Sequence, residues 1–149
     1  MPDRRLSAQT VIAREPEVVF DWVADYHNLP SVLAEVSRWE PLGDRTRGTG
    51  ARFDVALRAF GLPVETVLVL DQWDEPRSLG WRSESGPIDQ TGRWRFRPRA
   101  EGTETSLAIT YRLSGLAALA AAPVEGLARG RLEEALERMR ELLEEGPAH

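Results

Sequence analysis

The spacing of hydrophobic positions along the chain shifts from alternate residues to every third or fourth, returns to alternate residues, and ends at helical spacing again. Each shift predicts a change of element, because side chains share a face at a period of two in a strand and roughly 3.6 in a helix. Leu6 to Ala13 alternates and stops just before Glu15-Pro16, where proline suits the first turn of a helix with Val18, Val19, Trp22 and Val23 on its apolar face. The stretch FDWVADYHNLPSVL, Phe20 to Leu33, then breaks at Asp25-Tyr26-His27-Asn28 and starts again behind Pro30. Asn28 suits the cap of a second helix, so two short helices are expected to meet at an angle.

From Glu35 to Leu113, strand-like runs are separated by turn signals at Gly43 to Gly50, Gly61 to Pro63, Asp74 to Ser78, Gly86 to Asp89 and Pro98 to Gly102. Six strands in succession predict an antiparallel meander. The last segment, Val124 to Glu145, carries Leu132, Leu136, Met139 and Leu143 at helical spacing, with Glu134 and Arg138 as an i,i+4 pair on the polar side. Gly115 to Ala122, GLAALAAA, is biased toward small apolar residues and can extend that helix as far as Pro123. The order is α+β: a strand, two short helices, six more strands and a long helix on which a curved sheet must bury one face. A sheet that grips a helix often leaves a cavity.

The turns also predict which side chains share a face. If Gly86 to Asp89 joins its strands symmetrically, Trp81 lies opposite Trp94, Leu79 opposite Phe96 and Ser83 opposite Gly92. The next turn places Leu107 opposite Trp94 and Ile109 opposite Gly92, with Tyr111 further along the same apolar face. Its apolar end is Leu79, Phe96 and Trp94, and its polar end is Ser83, Ser85, Gln90 and Tyr111, a gradient suited to a largely apolar ligand with one polar end. The other face collects Arg82, Glu84, Arg93, Arg95, Arg97, Glu104 and Arg112, with Glu104 opposite Arg97 and Glu84 diagonal to Arg93, and reads as a solvated surface. Taken singly, each inner aromatic is a core residue first and a ligand contact second. The strand Val64 to Asp74 is apolar on both faces, which leaves Asp71 and Trp73 unassigned, as is the facing of Trp39.

Composition narrows the function more than it names it. With 149 residues, 42% hydrophobic, 29% charged and a net charge of -5, one ordinary globular domain spanning 1–149 is expected, without the basic footprint of a nucleic-acid binder. All 19 basic residues are arginine, and there is no cysteine for a disulfide or thiolate site. Two histidines offer little to a metal, so neither metal nor cofactor is expected. The N-terminal MPDRRLSAQTVIA lacks a secretory apolar core, and no apolar run approaches the roughly 18 residues of a membrane span, so a cytoplasmic protein is expected. No Ser-His-Asp order, nucleophile elbow or phosphate loop is present, which favours binding over catalysis.

The segments EPEVVFDWVADYHNLPSVL, GARFDVAL, DEPRSLGWRSESG, TGRWRFRP and GTETSLAITYRL resemble, in wording and order, the START-like or SRPBCC superfamily, and within it the polyketide cyclase/dehydrase-like group. The likeness runs from about Thr10 to Leu143. It implies a helix-grip fold, in which a curved antiparallel seven-stranded sheet surrounds a long C-terminal helix, two short helices follow the first strand, and a deep cavity lies between. The superfamily includes carriers, receptors, aromatase/cyclases and oxygenase domains, so fold alone does not select among them. The oxygenase reading fails because His27 stands alone and His149 is the terminal residue.

The expected ligand-binding set is Trp81, Ser83, Trp94, Phe96, Leu107, Ile109 and Tyr111 from the inner face, with Phe53 of GARFDVAL and Tyr26 and His27 at the polar break. His27 is weighed chiefly as a solvated turn residue rather than an acid or base. The expected function is binding of a small hydrophobic molecule as carrier or sensor, and a homodimer is allowed. The runner-up is a polyketide cyclase or dehydratase acting by positioning and proton transfer, against which no arginine falls on the inferred inner face. A third class is an interaction module with a collapsed cavity.

Overall fold

The computed structural model describes residues 4–59, 62–85, 88–112 and 125–145. Strand β1, Arg4–Ile12, leads into helix α1, Pro16–Ala24, and the short helix α2, Leu29–Val32. Six strands follow: β2 Val36–Pro41, β3 Arg52–Ala59, β4 Leu62–Asp74, β5 Ser78–Ser85, β6 Asp89–Arg99 and β7 Gly102–Arg112. Helix α3, Glu125–Glu145, closes the described chain. The expected segment Gly115 to Ala122 lies outside the described residues.

All strands join one antiparallel sheet in the order β1-β7-β6-β5-β4-β3-β2, so the first strand pairs with the last and the sheet curls around α3. Leu6 thereby faces Ile109 across β1 and β7. Leu132, Leu136, Met139 and Leu143 of α3 are buried in the same core as Leu79, Phe96 and Leu107 of the sheet. On the polar side of α3, Arg138 pairs with Glu141 at 3.8 Å rather than with Glu134.

Proline occupies the first turn of α1, and Glu15 at its cap has extended backbone angles. The buried stripe of α1 is Val19, Phe20, Val23 and Ala24, while Val18 and Trp22 are only partly covered. The expected apolar face is therefore rotated toward Phe20, whose ring meets Trp73 edge-on at 5.0 Å and Phe96 at 5.6 Å. Asn28 precedes α2 but does not cap it with its side chain, because its Nδ2 donates to the Trp22 carbonyl at 2.9 Å and ties the two helices together.

The β6–β7 register is the expected one, with Trp94 opposite Leu107 and Gly92 opposite Ile109. The β5–β6 register is displaced by two residues: Trp81 lies opposite Gly92 and Leu79 opposite Trp94. A shift of two keeps every side chain on its face. The reason lies in Gly92, where an added Cβ would fall 2.2 Å from Cζ2 of Trp81, so the indole occupies space that any other residue would fill. Trp94 instead stacks on Phe96 at 6.1 Å, with the rings within 5° of parallel.

Strand β4 resisted assignment because its register with β5 shifts twice, between Val67 and Leu68 and between Leu70 and Gln72. The second shift leaves Asp71 as the extra residue of a bulge, and its carboxylate pairs with Arg93 at 3.1 Å. On the outer face, Glu84 bonds Arg52 at 2.7 Å rather than Arg93, and Glu104 pairs with Arg99 although it sits opposite Arg97.

Two glycines test this packing in opposite directions. Gly92→Ala should destabilise the fold by about 1–3 kcal/mol, because the Trp81 ring must move. Gly130→Ala, in α3 with nothing within 4 Å of the new methyl, should stabilise it by about 0.5–1 kcal/mol. Urea unfolding midpoints of the two variants check both signs.

Candidate functional site

A cavity of about 580 Å³ lies between the N-terminal half of α3, the segment Leu33 to Val36 and the inner face of the sheet. That size lies within the range of small-molecule sites, roughly 300–1,000 Å³. Leu6, Leu33, Val36, Leu57 and Ile109 all belong to its wall and are also core-packed residues that remain partly uncovered. Among the described residues, these side chains thus leave apolar surface uncovered on the cavity wall. Trp39, Leu68, Trp81, Ile88 and Leu132 complete the apolar lining.

Polar groups sit in two places. Gln90 and Tyr111 face each other across β6 and β7 on the wall, as the expected polar end. Glu35, Arg58 and Arg131 also contribute, and the Arg131 guanidinium donates to Glu35 at 3.0 Å, linking α3 to the segment before β2. No arginine lies on the inner face of β5 to β7, as expected; Arg58 and Arg131 border the cavity from its rim, the exposed Arg58 next to inward-facing Leu57 on β3 and Arg131 from the flank of α3.

Of the expected ligand-binding residues, Trp81, Ile109 and Tyr111 line this cavity. Trp94, Phe96 and Leu107 are buried in the core instead, because Phe20 of α1 covers the apolar end of the sheet. Trp94, Phe53 and Tyr26 border a separate recess of about 20 Å³, room for roughly one water. Ser83 accepts a hydrogen bond from the Gln90 amide at 3.0 Å and so closes the β5–β6 hairpin.

The polar break is corrected in a similar way. Only Leu33 from the stretch Tyr26 to Leu33 reaches the large cavity, and the segment after it forms the wall. His27 is 70% exposed in its side chain, lies 4.0 Å from the Tyr26 ring and bonds Asp25 at 2.7 Å. Slight burial raises the Asp25 pKa, but the side-chain and backbone hydrogen bonds with His27, aided by Arg47, outweigh it and leave the carboxyl below its ordinary range.

Several cavity residues escaped the sequence reading. Leu57 was within reach, since it stands two and four residues from Val55 and Phe53 on the same face of β3. Leu6 needed the β1–β7 pairing, which no local turn encodes. Among the described residues there is no group of three or more His, Cys, Asp or Glu side chains able to hold a metal. No helix among them is long and apolar enough to cross a membrane, which says nothing of crossing by strands.

The family described as polyketide cyclase / dehydrase and lipid transport matches residues 3–144. The chain is similar to a protein of Thermus thermophilus, with 26% identity and a TM-score of 0.79 over 94% of this chain and 97% of that one. A Deinococcus radiodurans protein shares 22% identity at a TM-score of 0.72, over 97% and 99% of the two chains. The Zhui aromatase/cyclase of a Streptomyces species shares the fold at 16% identity and a TM-score of 0.78, over 96% and 94%. No curated protein matches the chain.

His27→Ala should move the Asp25 titration upward, toward that of an ordinary carboxylate, and leave the affinity for any molecule in the cavity unchanged within about twofold. Carboxyl chemical shifts followed against pH check the first outcome. A tenfold loss of affinity, about 1.4 kcal/mol, would place His27 in the site after all.

Proposed function

Because the chain belongs to the polyketide cyclase / dehydrase and lipid transport family, we propose that it takes up one small, mainly apolar molecule, lipid-, isoprenoid- or polyketide-like, in the cavity under α3 and serves as its carrier or sensor. The observation that carries this reading is the set of partly uncovered apolar side chains that face one cavity of about 580 Å³. Filling that space removes apolar surface from water on both partners, which favours binding at about 25 cal/mol per Å² before the cost of immobilising the ligand. On this reading the chain acts as one binding domain, in the cytoplasm.

The position of α3 supports passage of a ligand. Its C-terminal half is fastened to the start of the fold: Thr10 donates to Glu137 at 3.0 Å, the Ala13 amide to Glu144 at 2.9 Å, and Arg14 to the Leu143 carbonyl at 2.7 Å. Over the cavity, by contrast, the Arg131–Glu35 pair lies near the surface, with side-chain exposures of 52% and 32%. A pair so exposed contributes at most about 1 kcal/mol, so parting it costs little.

A second reading is a cyclase working in the same cavity. Arg58, Arg131 and the Tyr111 hydroxyl on its wall favour it, since a poly-ketone chain needs polar groups to hold its oxygens while its carbons approach. The two readings part on Tyr111→Phe. A carrier should retain most of its affinity, whereas a cyclase should lose at least about tenfold in turnover with its fold intact.

Ile109→Trp should fill the cavity from β7 and abolish uptake without unfolding the protein. Native mass spectrometry of protein purified from its own host should then show a small-molecule adduct on the parent chain and none on the variant. Equal adducts on both would place the binding site elsewhere.

A further inference from the structure

Trp81 carries an unexplained polar atom. Its side chain is 5% exposed, yet its Nε1 finds no hydrogen-bond acceptor among the described residues. Buried donors are nearly always satisfied, and a lone unsatisfied one calls for a missing partner. The other such atom is Asp71 Oδ1, which stands 3.1 Å from the Arg93 guanidinium in an ion pair and so needs no further partner.

The indole has little freedom to seek an acceptor elsewhere. One edge of the six-membered ring occupies the space above Gly92, and the Trp39 ring meets it perpendicularly at a centroid distance of 6.1 Å. The same side chain forms part of the cavity wall. It also borders the recess of about 20 Å³, so the missing acceptor is either a water held there or a molecule bound in the cavity, and only the second responds to a ligand's oxygen.

Resting on the binding reading above, we propose that the Trp81 Nε1–H is a specificity group that donates a hydrogen bond to a carbonyl-type oxygen on the bound molecule. The chemistry of the donor selects the ligand class. An indole N–H donates and never accepts, so it suits a ketone, quinone or ester oxygen and gives nothing to a protonated amine or a plain hydrocarbon. Trp81 offers one neutral donor, with Trp39, Leu68 and Ile88 elsewhere on the wall, and a carboxylate would be met better by Arg58 or Arg131, so the oxygen matched to Trp81 is uncharged. The ligand is thus an apolar molecule bearing at least one uncharged carbonyl within its hydrophobic body.

Anthraquinone and anthracene share one tricyclic frame and differ in two carbonyl oxygens, which makes them a direct test. Displacement of anilinonaphthalene sulfonate should show anthraquinone binding roughly fivefold to tenfold more tightly than anthracene, and Trp81→Phe should erase that preference. Since this variant leaves a void that weakens the fold, the unsubstituted protein gives an independent reading: with isotope-labelled tryptophan, the Trp81 indole proton should shift downfield with anthraquinone but not with anthracene. Equal affinities, a preference that survives in Trp81→Phe, or an indole signal that stays in place would overturn the assignment and leave the binding cavity standing. Failure of the dye and both compounds to bind at all would overturn the binding reading with it.

Discussion

One helix has to cover the inner face of seven strands, and it is too narrow to do so. Strands spaced about 4.8 Å apart make a sheet roughly 30 Å wide, whereas a helix with its side chains is about 10 Å across. Curling the sheet around α3, with β1 beside β7 at one edge and β2 at the other, reduces the mismatch without removing it. Helix α1 covers a further part, where Phe20 packs on Trp73 and Phe96. What remains uncovered, beside the N-terminal half of α3, is the cavity. Among the described residues, the cavity is therefore a consequence of how the area is shared.

The same sharing explains the asymmetry of α3. At its C-terminal end Leu136, Met139 and Leu143 are buried, and hydrogen bonds from Thr10, Ala13 and Arg14 converge on the last turns. At the other end, among the described residues, Leu132 is buried beside the cavity, with the Arg131–Glu35 pair at the surface. Dense packing resists local opening, whereas a few contacts around a void give way at low cost. Among the described residues, the end of α3 beside the cavity carries fewer such ties than its C-terminal end.

Much of the fold was legible because its signals are local. Alternation, turn residues and the helical spacing of Leu132 to Leu143 act over a few residues, and they predicted the element order correctly, while the helix-grip class came with the family resemblance. The Arg-rich and apolar faces of β5 to β7 also came out right, even though the pairing of Trp81 did not. A displacement by two preserves facing, while the partner of Trp81 was decided by the missing Cβ of Gly92. In β4 the bulge at Asp71 changes the facing midway, so no single alternation pattern describes that strand. The cavity was the least legible feature. It depends on how the inner residues pack, and of two tryptophans alike in sequence Trp94 stacks on Phe96 in the core whereas Trp81, over Gly92, borders the cavity.

The central claim, that the space under α3 receives an apolar molecule, is tested most directly by mapping where one binds. Titrating anilinonaphthalene sulfonate into isotope-labelled protein and following side-chain methyl signals should shift Leu57, Ile109 and Leu132 together at one-to-one stoichiometry, while Leu79 and Leu107 in the packed core change little. Shifts confined to the outer face of the sheet, or none at saturating dye, would contradict the account.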